Sequence, residues 1–244
     1  TEDVHMLVSA YLVTGFAVAA VYAAGFLRGH GDALHRRALP LAMVMAVVAA
    51  GLAGITGDTS ARFVADDQPI KFASQEGLFP TTAGAPLHIG GLPLPDQNRT
   101  VFAIEIPHLL SWLLKGDPNA TIKGLDDFPR DLWPNILIVH FSFEIMVGLG
   151  LALGLCGVLY WLLALRRRAP TTNRWMLIAL VAAGPASVVA METGWFVTEF
   201  GRQPWIIYGV MRTSAAATST PALGPTFGVF ILLYVALGVT LARL

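Results

Sequence analysis

The stretch Trp195-Phe-Val-Thr-Glu199-Phe-Gly-Arg202-Gln-Pro-Trp205 ends a long apolar segment with a carboxylate and a guanidinium. A charged side chain inside a membrane helix costs about 2.5–3.5 kcal/mol on insertion scales. Such side chains are retained when they pair with each other, line a water-filled site or bind a cofactor. The simpler alternative is a helix end at which Arg202 reaches the interface and the proline stops the helix.

The composition indicates a lipid-embedded protein. Only 13% of the 244 residues are charged and 55% are hydrophobic, whereas soluble domains carry about 25% charged residues. The net charge of zero argues against nucleic acid as a partner. Cys156, the single cysteine, lies in an apolar run and is predicted to be a packed helix residue. The first residues lack a start Met and a basic segment, so we expect no signal peptide here and an upstream part that is missing.

Five apolar segments are long enough to cross a bilayer, which takes about 20 residues. They lie approximately at residues 4–27, 38–57, 136–165, 174–200 and 222–242. We therefore predict an all-α integral membrane protein, a bundle of five transmembrane helices with one long extracytoplasmic loop. Pro185 predicts a kink in the fourth helix. Small residues predict close helix packing on the first and third, at Gly15, Ala19, Ala23, Gly148, Gly150, Gly154 and Gly157.

The connections predict the orientation. Seven of the sixteen Lys and Arg residues lie in two short connections, at Arg28, Arg36, Arg37, Arg166, Arg167, Arg168 and Arg174. That side is cytoplasmic by the positive-inside rule, so residues 58–134 lie outside. The stretches Ile70–Phe79 and Val101–Leu114 are amphipathic and predict short helices on the outer surface. The chain is thus divided into residues 1–57, the outer loop 58–134 and a three-helix part, 135–244.

His5 and Met146 are two donors close to the outer ends of spans one and three. A His/Met pair is one way to hold a six-coordinate haem iron. Each also has a simpler explanation, since methionine fills helix cores and a histidine near a helix start is often a cap or interface residue.

The fourth span carries Glu192, Trp195 and Glu199, spaced three and four residues apart and hence on one helical face. These carboxylates could ligate iron, relay protons or pair with Arg202. Glu144 adds another carboxylate close to Met146 on the third span.

Lys71 and Glu76 stand slightly more than one helical turn apart in the outer loop. A cation and a carboxylate beside an apolar face could hydrogen-bond the oxygens of an amphiphilic ring, although a solvated amphipathic helix would show the same pattern. We interpret His140 as interfacial rather than ligating. The remaining loop residues are expected to serve loop structure or solvation: His88, His108, Glu105, Asp126 and Asp127.

Five motifs follow one another along the chain: Val4-His5-Met with Tyr11-Leu-Val-Thr-Gly15, Gln68-Pro-Ile-Lys71 through Glu76-Gly77, Gly124-Leu-Asp-Asp-Phe128, Phe-Ser-Phe-Glu-Ile-Met146-Val-Gly, and Gly194-Trp195 with Glu199-Phe-Gly-Arg-Gln-Pro-Trp205. Together they resemble the C-terminal part of subunit I of the cytochrome bd-type quinol oxidases. The family's subunit begins with further helices that carry another haem-ligating His, and these are not in the sequence. Glu144 departs from the neutral or basic residue expected there and should lower the potential of the adjacent haem.

The resemblance implies roles for these residues. His5 and Met146 would be the axial ligands of low-spin haem b, and Glu199 would ligate a high-spin haem, of type b or d. Trp195 would lie between haems. Arg202 and Glu192 would bind the cofactor, and Arg202 would do so by contacting the haem propionates. Lys71 and Glu76 would contact quinol.

The implied enzyme is an electrogenic quinol oxidase in a bacterial or archaeal cytoplasmic membrane. It would oxidise quinol at the outer face and pass electrons through haem b to high-spin haems that reduce dioxygen to water. It would be complete only with additional helices or subunits. Its expected partners are a second oxidase subunit, a companion chain and membrane lipid. Two alternatives remain open, a haem b electron-transfer module without oxygen chemistry and a haem-free transporter or structural subunit.

Overall fold

The computed structural model describes residues 2–166, 170–217, 220 and 223–243. Two of the arginines used to predict the orientation, Arg167 and Arg168, therefore lie outside the described residues. The chain divides into two compact units, residues 1–204 and residues 205–244.

Helices dominate the first unit. In its described part the α-helices are α1 (Glu2–Leu27), α2 (Ala33–Asp67), α3 (Pro69–Glu76), α4 (Leu109–Lys115), α5 (Ile136–Leu165) and α6 (Arg174–Gly201). Helix α1 packs along α2 and α6, α5 packs along α6, and α2 meets α5 over a shorter length. The result is a four-helix bundle of α1, α2, α5 and α6 whose polar connection, residues 68–135, contains α3 and α4.

The small face of α1 forms the tightest contacts of the bundle. A Cβ atom at Gly15 would lie 2.8 Å from the backbone of Ala46 on α2. On the neighbouring helix, a Cβ at Gly184 of α6 would lie 2.7 Å from the Ala20 methyl group of α1. Such close approach lets helices pack in lipid, where the hydrophobic effect does not drive their association. The predicted small-residue packing of α1 is confirmed.

The glycines of α5 behave differently from one another. A Cβ at Gly157 would lie 2.5 Å from the Val47 side chain, so α2 and α5 meet there. A Cβ built on the other three, Gly148, Gly150 and Gly154, would have no described atom within 4 Å apart from adjacent residues and the backbone of its own helix. The predicted close packing of α5 is therefore found at one of its four glycines.

Helix α2 is longer than predicted, because it begins five residues before position 38 and ends ten residues after position 57. The Asp32 side chain caps its start by accepting the His35 backbone N–H at 2.9 Å. Near its end, Asp58 accepts two hydrogen bonds from Arg62 one turn later, at 2.9 and 3.2 Å. This i, i+4 pair stabilises helix in a polar stretch that hydropathy alone excludes. Helix α6 continues without a break across Pro185.

Short antiparallel strands occupy much of the long loop. They are β1 (Thr82–Ala83), β2 (Leu87–Ile89), β3 (Leu92–Leu94), β4 (Arg99–Val101), β5 (Ile104–Ile106) and β6 (Thr121–Ile122). The pairs are β1–β6, β2–β5 and β3–β4. The helix predicted over 101–114 is thus wrong in its first half, where β-branched Val101, Ile104 and Ile106 favour strands. The helix predicted near Ile70 exists as α3, but it is buried rather than lying on the surface.

The second unit contains strands β7 (Trp205–Ile207) and β8 (Met211–Arg212), which pair antiparallel, followed by α7 (Thr213–Ala216) and α8 (Leu223–Arg243). The Arg212 guanidinium lies over the Trp205 ring, 5.6 Å from its centroid. Five of the described helices are long and apolar enough to cross a membrane: α1, α2, α5, α6 and α8. The predicted helical architecture with five spans is confirmed.

Candidate functional site

His5 is held in the first turns of α1 by a side chain of α2. Its Nδ1 atom lies 3.0 Å from the Thr56 hydroxyl oxygen. That hydroxyl has a single proton, which it donates to the Leu52 carbonyl oxygen at 2.9 Å. When the hydroxyl proton is on the Leu52 carbonyl, the hydroxyl oxygen accepts from Nδ1–H, and the lone pair of the His5 ring is then on Nε2. This tautomer is the one in which Nε2 can bind a metal while Nδ1–H is fixed by a second partner.

Met146 points its sulfur at α6. A Cβ atom at Gly194 would lie 2.9 Å from the Met146 Sδ atom, so the absence of a side chain at Gly194 makes room for the thioether. The His5 ring, by contrast, lies against α2, where a Cβ at Gly57 would be 3.4 Å from its Cε1 atom.

The donor chemistry of these two residues fits a haem iron. An imidazole nitrogen with an available lone pair and a thioether are an axial pair found in low-spin haem proteins. In the described ranges there is no group of three or more His, Cys, Asp or Glu side chains that could hold a metal ion.

The end of α6 carries an ion pair. The Arg202 Nε and Nη2 atoms donate to the same Glu199 oxygen, Oε2, at 3.1 and 2.6 Å. Trp195 is 58% exposed, and Glu192 is also exposed. Because α6 is continuous through Gly201, the predicted common face of Glu192, Trp195 and Glu199 is preserved.

Lys71 is buried at the place where three helices meet. Its side chain belongs to α3, and its Nζ atom donates to Glu2 Oε1 in the first turn of α1 at 2.7 Å. A Cβ atom at Gly201, the last residue of α6, would lie 2.9 Å from Lys71 Cγ. The structure therefore brings Lys71 to the ends of the two helices that carry His5 and Glu199.

Glu76 is buried at the end of α3, and its environment favours the neutral acid. Burial raises the pKa of Glu76 to about 8, and the nearby carboxylate of Glu144 on α5 contributes in the same direction. A carboxyl group that titrates this close to neutral pH can exchange a proton with a bound substrate.

His140 and Glu144 stand one turn apart on α5 and both contact the loop. His140 is completely buried, its Nδ1 lies 2.8 Å from the Gln75 carbonyl oxygen and its Nε2 lies 3.3 Å from that of Gly90. Glu144 Oε2 accepts the Gly90 backbone N–H at 3.0 Å. Sequence reasoning missed this contact, although the i, i+4 spacing of two polar side chains in an apolar helix is a signal for it.

The chain matches a known protein family over its full length. Residues 1–244 match the family described as cytochrome bd terminal oxidase subunit I. The putative cytochrome bd menaquinol oxidase subunit I of Bacillus subtilis (strain 168) is 38% identical over 241 residues, which cover 96% of this chain and 54% of that protein. The cytochrome bd-II ubiquinol oxidase subunit 1 of Escherichia coli (strain K12) is 28% identical over 279 residues, covering 87% of this chain and 54% of that protein.

A solved structure shares the fold. The bd oxidase from Geobacillus thermodenitrificans superposes with a TM-score of 0.88 at 36% sequence identity, covering 98% of this chain and 55% of that chain. The present chain therefore spans about half the length of the relatives that it matches.

Proposed function

We propose, on the premise that this chain belongs to the cytochrome bd terminal oxidase subunit I family, that it is the quinol-oxidising and electron-transferring section of a membrane quinol oxidase. The observation that carries this proposal is the pair of buried ionisable groups on α3, Lys71 and Glu76. Lysine and glutamate side chains are rarely buried this deeply, and buried ionisable groups with a shifted pKa are candidates for a functional site.

The chemistry of α3 suits a quinol. Oxidation of a quinol to a quinone releases two protons and two electrons. In its ionised form Glu76 accepts a hydroxyl proton, and the Lys71 ammonium group donates a hydrogen bond to a quinol oxygen. The Lys71 ammonium group has three donor hydrogens and is paired with Glu2. A quinol oxygen therefore either accepts a hydrogen bond from Lys71 alongside Glu2 or takes the place of Glu2. The loop 58–134 lies on the outer side, where the released protons leave.

Several residues would hold haem. His5 and Met146 would hold a low-spin haem b, Glu199 would hold a high-spin haem, and Arg202 would bind that haem's carboxylates. Glu192 and Trp195 complete that cofactor surface on the exposed face of α6. When bound, haem supplies the one-electron chemistry that the protein's own side chains lack.

Membrane lipid surrounds α1, α2, α5, α6 and α8, and the oxidase is completed by a second subunit and by the part of the subunit that the chain does not include. Its location is a bacterial or archaeal cytoplasmic membrane. Dioxygen reduction to water, with charge separation across that membrane, belongs to the complete assembly.

Two substitutions on α3 test the proposal. Lys71→Ala and Glu76→Ala should slow the oxidation of quinol by the assembled oxidase but leave the oxidation of an artificial one-electron donor unchanged, because that donor bypasses the quinol site. Oxygen uptake with each donor measures both rates. An equal loss with the two donors would place the defect outside quinol oxidation.

The Glu199–Arg202 ion pair favours a second candidate, a haem-free membrane subunit in which these charges only stabilise the helix end. A pyridine haemochrome assay of the purified protein separates the candidates. Haem in the purified protein supports the oxidase, and its complete absence supports the second candidate.

A further inference from the structure

Five consecutive backbone carbonyl groups, from Gln75 to Phe79, each accept a hydrogen bond from outside α3. The first three bonds come from side chains of three elements: His140 Nδ1 to Gln75 at 2.8 Å, His88 Nδ1 to Glu76 at 3.0 Å and Thr100 Oγ1 to Gly77 at 2.7 Å. The last two come from the backbone N–H groups of Leu125 to Leu78 and of Asp126 to Phe79, both at 3.0 Å.

This arrangement solves the problem of a buried helix end. The last carbonyls of a helix have no partner within it, and burial removes the water that would otherwise serve them. The Leu78 N–H returns to the Ala73 carbonyl oxygen at 2.9 Å and so satisfies an earlier carbonyl. Gly77 makes the turn possible, since its φ of 62° is a left-handed conformation and a Cβ there would lie 2.8 Å from Thr100 Oγ1.

The two histidines hold the backbone on both sides of the Glu76 Cα atom. His140 reaches the carbonyl that precedes Glu76, and His88 reaches the carbonyl of Glu76 itself. The other ring nitrogen of each imidazole faces an oxygen at longer range. His140 Nε2 lies 3.3 Å from the Gly90 carbonyl oxygen, and His88 Nε2 lies 3.7 Å from Oε1 of its cross-strand partner Glu105.

We propose that His140 and His88 are positioning residues that fix the Glu76 carboxyl group in the orientation that meets the quinol. The inference rests on the proposed function of Glu76 in quinol oxidation. It gives His140 a role at the quinol site, although His140 belongs to α5, the helix that also carries Met146. A proton acceptor must sit within hydrogen-bond reach of the hydroxyl group that it deprotonates, so a shift of the Gln75–Glu76 backbone lowers the rate without removing any reacting group.

Three substitutions in the assembled oxidase test this role. His140→Phe keeps the ring volume but removes the Nδ1–H donor to the Gln75 carbonyl oxygen, and it should lower kcat/KM for quinol by about 10- to 100-fold. Its haem spectrum and its rate with an artificial donor should match the unmodified enzyme. His140→Gln keeps an amide donor and should recover part of the loss. His108→Phe is the matched control, because His108 also contacts a loop carbonyl, that of Pro118 at 3.0 Å, away from Glu76.

A double-mutant cycle distinguishes positioning from general destabilisation. In a Glu76→Gln background, His140→Phe should cause no further loss of quinol kcat/KM, because the group that it positions is already inactive. If the losses of the two single variants multiply in the double variant, the positioning role is refuted and the proposed function stands. The same holds if His140→Phe leaves quinol kinetics unchanged while Glu76→Gln is slow. Full quinol oxidation by Glu76→Gln overturns the proposed function and this inference with it. If the His140→Phe protein does not accumulate, Thr100→Val replaces it in the double-mutant cycle, because Thr100 donates to the Gly77 carbonyl. The outcomes are interpreted in the same way.

Discussion

Quinol oxidation by the assembled oxidase should accelerate steeply between about pH 6 and pH 8, because Glu76 accepts a proton only when it is ionised. Burial, with a smaller contribution from the charge of Glu144, raises the pKa of Glu76 to about 8. The ionised fraction is then about 1% at pH 6, about 9% at pH 7 and about 50% at pH 8, so the rate should rise roughly ninefold over the first interval and roughly fivefold over the second. The sign follows from the raised pKa, since the base form is lost as the pH falls through 8.

The assay is oxygen uptake at saturating quinol, divided at each pH by the rate with an artificial donor. Glu76→Gln should be slow and lack the rise. Glu144→Gln should move the rise to lower pH, yet keep it above the usual carboxyl range because burial, the larger cause, remains. The charged or titratable groups on the elements around the end of α3 include Lys71, Glu2, His88, Glu105, Asp126, His140 and Glu144. A wild-type ratio that does not change with pH, or an identical rise in Glu76→Gln, would refute the reasoning.

Three further predictions concern the haem ligands. Thr56→Val should weaken haem retention about 10- to 100-fold in a haem titration, because it removes the acceptor of His5 Nδ1–H. Thr59→Val is the control: it removes only an exposed hydrogen bond to its own helix and should leave haem retention unchanged. Met146→Leu should abolish the low-spin haem absorption spectrum while the protein still inserts, and an unchanged spectrum would exclude this ligand. Gly194→Ala should displace the Met146 sulfur, since the new methyl group would lie 2.9 Å from it, and should appear as a shifted reduced-minus-oxidised difference spectrum; an unshifted spectrum would show that the contact can relax.

Hydropathy predicted most of the fold because membrane spans are a property of local composition. All five long apolar helices are where continuous apolar runs occur. The error at the end of α2 has a local cause, since residues 58–67 are helical although they are polar, and the Asp58–Arg62 pair supports them. The loop strands were missed because they are only two or three residues long, too short for a period-two pattern to be recognised.

The contacts of the site that join residues close in sequence could be predicted, whereas those that join distant residues could not. Glu199 and Arg202 are three residues apart, and their pairing is readable from helical spacing. The partner of Lys71 lies 69 residues away at Glu2, and the partner of His140 lies 65 residues away at Gln75. No periodicity links such positions, so a motif can identify Lys71 but cannot supply its counter-ion.

The motif at the end of the loop begins with Gly124. The sequence shows this glycine but does not reveal the distant contact that requires it. A Cβ atom at Gly124 would lie 2.2 Å from the Phe79 carbonyl oxygen, so a side chain there would push the chain away. Only a glycine lets the next two backbone N–H groups, of Leu125 and Asp126, reach the Leu78 and Phe79 carbonyls. Gly124 thus serves the buried end of α3 in the same way as Thr100 and the two histidines do. The motif that begins at Gly124 therefore holds the backbone two and three residues beyond Glu76, although Gly124 lies 48 residues farther along the chain.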